Sequence, residues 1–149
     1  MKKIYLASGW FNPVQAEELT TLENIFDTRS DHFDLSSPRR IFVCPPGAPQ
    51  SVQDETFHGN LRHIQQSDFL LVNTRDKDIG TIWEAGYAHA YEKPIIYFCA
   101  GLPEGAKFNL MLARSGIKVC TSFEELEEYL DRVIDLNELP YEPYSKQIE

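Results

Sequence analysis

The chain has 149 residues, the length of one domain with a single core, and 42% of them are apolar. A formal net charge of −9 argues against a nucleic-acid groove or an anionic membrane surface as partner and favours a small polar or uncharged substrate. No apolar run approaches the roughly 20 residues of a membrane-spanning helix, and Met1–Ser8 is too short for a signal peptide, so a cytoplasmic location is expected.

Five strand–helix alternations are predicted. Lys3–Ser8 is the first strand, followed by a helix over Pro13–Asp27 with Asn12 as N-cap and Pro13 at the first helical position. Arg40–Cys44 reads as the second strand and runs into a proline-rich loop, Pro45 to Pro49. Val52–Gln66 is helical, with Phe57, Leu61 and Ile64 spaced to face a core. Phe69–Asn73 is the third strand, Thr81–Glu92 the third helix and Pro94–Ala100 the fourth strand. A short helix, Ala106–Ser115, ends before Gly116; Ile117–Cys120 is the fifth strand, and Ser122–Leu136 is a helix opened by Ser-x-x-Glu.

Strands separated by helices of this length imply a parallel sheet with right-handed crossovers. The expected fold class is α/β, a flavodoxin-like three-layer sandwich in the order 2-1-3-4-5, with residues 1–149 as one domain. Residues 137–149 form a C-terminal tail, irregular from Leu139, whose tyrosines suggest packing at an oligomer interface. The three cysteines, Cys44, Cys99 and Cys120, form no CxxC pair, and the last two suit small buried hydrophobes in a reducing compartment.

The densest chemistry lies in Asp78-Ile79-Gly80-Thr81-Ile82-Trp83-Glu84-Ala85-Gly86-Tyr87-Ala88. Two carboxylates six residues apart span a Gly-Thr turn into a helix, just past an apolar strand. Ligands of open α/β sheets bind beyond the carboxyl ends of the strands, which places Asp78 on the loop facing that crevice. Two acids in one cleft, one ionised and one able to carry a proton, suit cleavage of a glycosidic bond. Thr81-x-x-Glu84 also reads as a capping box. Glu84 is placed in the first helical turn, where the helix dipole should keep it ionised at neutral pH. Gly80 permits close backbone approach, and Gly86 thins the helix where a neighbour or ligand could press in.

Three further segments should meet at the same edge. Ser8-Gly9-Trp10-Phe11-Asn12 offers two aromatics that either stack on a planar ring or staple onto the first helix. Tyr5 is a mid-strand residue whose hydroxyl needs a partner, for which a cleft carboxylate is a candidate. Asn60 and Asn109 are polar residues available to a ligand, while Met111 and Leu110 suit packing. His58 and His63 lack the spacing of paired zinc ligands, and neither a Walker phosphate loop, a GxGxxG nor a serine nucleophile elbow is present, so no metal and no cofactor are expected.

Taken together these pieces resemble the nucleoside 2-deoxyribosyltransferases over nearly the whole chain. The resemblance rests on Ile4-Tyr5-Leu6-Ala7-Ser8-Gly9-Trp10-Phe11, on Asn60-Leu61-x-x-Ile64 before Asp68, on the Asp78–Ala88 run and on Asn109-Leu110-Met111. It implies a transferase moving 2-deoxyribose between nucleobases by a retaining double displacement, acting on 2′-deoxynucleosides and free bases in nucleoside salvage. It also implies a dimer-based homo-oligomer, often a hexamer, with active sites completed across an interface. By the same resemblance Glu84 corresponds to the nucleophile, Tyr5 to the tyrosine that hydrogen-bonds it, and Asp78 to the acid near the base. Asn109 corresponds to the residue, donated by the adjacent subunit, that holds the sugar 5′-hydroxyl. Gly9, Trp10, Phe11, Asn60, Gly80 and Met111 complete the expected substrate contacts.

Many family members carry aspartate where this chain has Asn60. An amide binds a base edge but exchanges no proton near neutrality, so base protonation would fall on Asp78 or water. Two other readings stand beside the transferase. A 2′-deoxynucleoside 5′-monophosphate N-glycosidase would want basic groups near the 5′ position; Asn109 and the acidic charge count against it, Arg114 and Ser115 for it. A non-catalytic nucleoside-binding module would have no need of Glu84, Asp78 and Tyr5 together.

Overall fold

A computed structural model describes residues 1–149. Five strands form one parallel sheet in the order β2-β1-β3-β4-β5, as the alternation of elements implied. The strands are β1 (Lys2–Ala7), β2 (Phe33–Ser36), β3 (Phe69–Asn73), β4 (Ile95–Phe98) and β5 (Lys118–Cys120). The helices are α1 (Pro13–Asp27), α2 (Pro38–Ile41), α3 (Gln50–Gln66), α4 (Ile79–Ala90), α5 (Leu110–Ser115) and α6 (Phe123–Leu136). No helix is long and apolar enough to cross a membrane.

The central strands are buried on both faces, and β3 and β4 are accordingly apolar almost without interruption. Side-chain alternation divides them into two cores. Ile4, Leu6, Phe69, Leu71, Ile96 and Phe98 pack under α1 and α6. Tyr5, Ala7, Leu70, Val72, Ile95 and Tyr97 pack under α3, α4 and α5. In register, Tyr5 lies beside Leu70, which lies beside Ile95.

Helix starts largely match their caps. Asn12 accepts from Gln15 N–H at 2.9 Å with Pro13 at the first position, and Ser122 accepts from Glu125 N–H at 3.1 Å. The helix expected from Ala106 begins only at Leu110, because Phe108 is held extended by a bridge to Ile148 and Asn109 caps the six-residue helix α5.

The second strand is corrected. It is Phe33–Ser36, not Arg40–Cys44. Pro38 opens a one-turn helix there instead, and Arg39 and Arg40 pair with Glu23 and Asp27 on α1. Val43 and Cys44, just beyond it, are exposed. Phe33 wins the edge position by burial: its ring meets Phe26 and Phe69 edge-on at 5.6 and 5.9 Å. Ile41-Phe42-Val43 has the higher strand propensity, but tertiary pairing overrides it. Phe42 packs instead against Gly59 of α3, where a Cβ would lie 2.4 Å from its ring. Only glycine allows that approach.

Much of the tail is fastened to the body of its own chain. Tyr144 is buried in the second core, Tyr129 donates to Pro140 O at 2.6 Å, and Glu142 pairs with Lys118 and Arg132.

Candidate active site

Tyr5 is fully buried on the α4 side of β1, and its hydroxyl donates to Glu84 Oε2. Burial, then the charge of Glu84, pushes the phenol well above its ordinary range, so it remains a donor. Glu84 itself is half-buried. Burial is the main cause that pushes its carboxyl up to about 7, aided by the nearby charge of Asp78 and opposed by the Tyr5 hydrogen bond.

Two expectations about this helix are corrected. Thr81 is not the N-cap; Asp78 is, accepting from Thr81 N–H at 3.0 Å and from the Thr81 hydroxyl at 2.8 Å. Asp78-x-x-Thr81 has the same spacing as Thr81-x-x-Glu84, and aspartate is the better cap. The helix therefore starts earlier, and Glu84 falls in its second turn, beyond the reach of the helix dipole. Glu84 is thus not held fully ionised at neutral pH, since desolvation outweighs what the helix end supplies.

The loop after β1 closes onto Asp78. A Cβ on Gly9 would lie 3.1 Å from Asp78 Cγ and 2.7 Å from Gln15 Oε1. Gly9 is therefore required by close approach, whereas a Cβ on Gly80 would meet only Asp78 Oδ2 at 3.7 Å, and one on Gly86 would meet nothing. The Trp10 and Phe11 rings lie 5.1 Å apart, tilted by 30°, and are 37% and 72% exposed, which rules out a staple onto α1 and leaves both rings available.

Gln15 and Asp76, which are not among the expected site residues, hold this loop in place. Gln15 Oε1 accepts from Phe11 N–H at 2.9 Å, while Gln15 and Asn12 both donate to Asp76 Oδ2, at 3.1 and 2.9 Å. Asn73 donates to Ser8 Oγ at 3.3 Å. The legible signal is Asn12-x-x-Gln15, a capping-box spacing at a helix start.

Asn60 lies half-buried on α3, and its buried Oδ1 has no hydrogen-bond partner. Asn109 caps α5: its Oδ1 accepts from Met111 and Leu112 N–H at 3.0 and 3.2 Å, which leaves Nδ2 to donate. Asn109 and the exposed Met111 line a hollow of about 510 Å³ with Ile79 and Ile82. Tyr5, Asp78 and Glu84 do not line it. Within one chain, then, Tyr5 is bonded to Glu84 and the Gly9 loop closes onto Asp78, while Asn109 and Met111 line a hollow reached by Lys77 and Ile79 on either side of Asp78. Arg114 and Ser115 are occupied internally, donating to Tyr144 O and pairing with the Tyr97 hydroxyl at 2.7 Å. No three metal-binding side chains cluster.

The family model for nucleoside 2-deoxyribosyltransferase matches residues 4–116, which span Tyr5, Asp78, Glu84 and Asn109. The chain belongs to that family. It is similar over 96% of its length, and 99% of the other chain, to the 2-deoxyribosyltransferase of the psychrotolerant bacterium Bacillus psychrosaccharolyticus, at 28% identity and a TM-score of 0.78. Two further structures share the deoxyribosyltransferase fold. The 2-desoxiribosyltransferase of Leishmania mexicana is 21% identical with a TM-score of 0.60, over 91% of this chain and 98% of that one. The Clostridium botulinum CMP N-glycosidase BcmB is 14% identical with a TM-score of 0.59, over 87% and 99%. A search of curated proteins returned no match. This is a family of enzymes that bind nucleosides and nucleobases, and its structural neighbours include an N-glycosidase as well as transferases.

Proposed function

We propose that this deoxyribosyltransferase-family member moves 2-deoxyribose between nucleobases through a covalent intermediate on Glu84. The observation that carries the reading is the Tyr5–Glu84 hydrogen bond beside Asp78, in a place where burial holds the carboxyl at about 7. A nucleophile is needed that is ionised in a usable fraction of molecules yet poorly solvated, and therefore reactive.

Tyr5 occupies Oε2, which leaves Oε1 to attack C1′ of a 2′-deoxynucleoside. As the C1′–O bond forms, the C1′–N bond breaks and its electron pair leaves on the base, which takes a proton from Asp78 or from water. A second base then gives up its N–H proton to the group that supplied the first, Asp78 or water, and attacks C1′ from the vacated side; the C1′–O bond breaks, and Glu84 is released as carboxylate. Two inversions give net retention. Trp10 and Phe11 supply aromatic surface for the base, and Asn60 supplies an amide for a base edge. Asn109 Nδ2 donates to the sugar 5′-oxygen.

Asn109 does this for a neighbouring subunit. That neither Tyr5 nor Glu84 lines its hollow supports a shared site, as does an exposed aromatic row on α3 and α4. In that row Phe57, Trp83, Tyr87 and Tyr91 succeed one another at 5.7, 5.6 and 4.8 Å, and Trp83 and Tyr91 are each 51% exposed. The assembly is a dimer-based homo-oligomer acting in nucleoside salvage in the cytoplasm, without a cofactor.

Hydrolysis of a deoxynucleoside 5′-monophosphate is the second reading, favoured by Lys77 and Lys107 on the walls of the Asn109 hollow. The internal engagement of Arg114 and Ser115 counts against it. Incubation with deoxyinosine and free adenine decides: new deoxyadenosine is expected. Free sugar alone, or turnover restricted to monophosphates, would replace transfer by hydrolysis, and no turnover would leave a binding module.

A further inference from the structure

We propose that the C-terminal segment from Tyr144 to Glu149 is a strap that positions Asn109, and so governs affinity for the sugar rather than the chemical step. The inference rests on the reading of Asn109 as the sugar ligand.

Asn109 sits between two backbone attachments to this segment. On one side Phe108 N–H donates to Gln147 O at 3.0 Å, and Glu149 N–H donates back to Phe108 O at 3.0 Å. On the other side Leu110 N–H donates to Glu149 O at 2.9 Å. The helix that Asn109 caps has only six residues, too few to hold its own orientation. Its first residues are fixed instead by these bonds and by the two that the Asn109 side chain accepts.

The strap is anchored before it reaches Asn109. The Tyr144 ring lies 5.3 Å from Phe108, which lies 6.2 Å from Tyr97 in the core, and Arg114 from α5 donates to Tyr144 O. Further back, Glu142 N–H donates to Ile117 O at 2.8 Å. A tail serving only to cover apolar surface would end its role at Tyr144. The residues beyond it are exposed and contribute mainly backbone bonds, all directed at the Phe108–Leu110 segment.

The amide plane of Asn109 is then set by the strap. With both neighbours bonded and Oδ1 engaged, Nδ2 is directed without rotamer search, so loosening the strap raises the entropic cost of binding. Chemistry at C1′ depends on Glu84 and Tyr5, which the strap does not touch.

The test compares Glu149→Pro with Glu149→Ala in the full chain. Proline removes the N–H that bonds Phe108 O; alanine removes the same carboxylate and keeps the N–H. Glu149→Pro is expected to raise KM for deoxynucleosides about tenfold, with kcat within about twofold, as for loss of one or two hydrogen bonds. It should also accelerate amide exchange at Leu110, Met111 and Leu112, while Glu149→Ala leaves exchange and KM near wild type. Unchanged exchange in the proline variant overturns the strap. Faster exchange with unchanged KM, or a kcat loss equal to the KM gain, overturns its link to substrate. Failure of the nucleoside reading looks different: the wild-type protein itself then turns over no nucleoside.

Discussion

The two faces of the sheet do different work with similar numbers of buried residues. Under α1 and α6 a cluster of 16 buried residues is almost wholly aliphatic and aromatic, and its single buried hydroxyl, on Tyr129, is satisfied by Pro140 O. Under α3, α4 and α5 a cluster of 13 includes Tyr5, Tyr97 and Tyr144, and α4 and α5 meet the sheet through Ala85, Ala88 and Ala113. Small residues bring α4 close enough for Glu84 to reach a tyrosine on the central strand. The first face stabilises the fold; the second gives up some stability to enclose a carboxylate.

The sharpest break of that comparison pairs Glu84→Ala with Leu22→Ala. Removing the nucleophile is expected to lower kcat by at least ~10³-fold with the fold intact. Leu22, fully buried under α1, is expected to cost about 2–5 kcal/mol in denaturant unfolding and leave KM unchanged in the folded fraction. Near-normal transfer by Glu84→Ala would remove the proposed mechanism.

Tyr5→Phe should be next in size, lowering kcat by about 10- to 100-fold. Its hydrogen bond lowers the Glu84 pKa, so its loss should move the titration of Glu84 to higher pH. In the wild type, the nucleophile is the carboxylate, so kcat/KM should rise with pH through about 7 and then level off. A flat profile across that range would mean that another group carries the reaction.

Stability should run the other way. The folded-state pKa of Glu84 is raised from 4.5 to about 7, so the folded protein binds more protons than the unfolded chain between those values. Its contribution to stability therefore falls as pH rises from about 4.5 and is lowest above about 7. Glu84→Gln, which keeps the shape and removes the charge, should stabilise by about 1–3 kcal/mol at pH 8 and by little at pH 4, read by urea melts. Equal effects at both pH values would rule out charge burial as the cause. The smallest effect is expected for Asn60→Ala: because Oδ1 has no partner to lose, stability should change by less than about 1 kcal/mol, while KM for the acceptor base rises about threefold.

Much of this architecture is legible in the amino-acid sequence. Asn12-Pro13 and Ser122-x-x-Glu125 announce their helices because a cap is a local bond, formed within three residues. Phe69–Asn73 announces a buried strand because both its faces are covered. The contact of Tyr5 with Glu84 is suggested only by the need of a mid-strand hydroxyl for a partner, and the family resemblance supplies which carboxylate. Gln15 and Asp76 carry a weaker signal, since their bond joins residues 61 positions apart.

What the residues determined by themselves was the alternation of elements, the parallel sheet and its order, because hydrophobic period, caps and crossover handedness are local or nearly so. Three matters were decided only by tertiary structure. Phe33 took the edge strand from Ile41–Val43 because two distant aromatic rings bury it. Glu84 gained its proton affinity from desolvation, which sums over everything packed around it. The tail found Phe108–Leu110 because those backbone groups had no other partners, and no side-chain pattern in the tail encodes where such groups will lie.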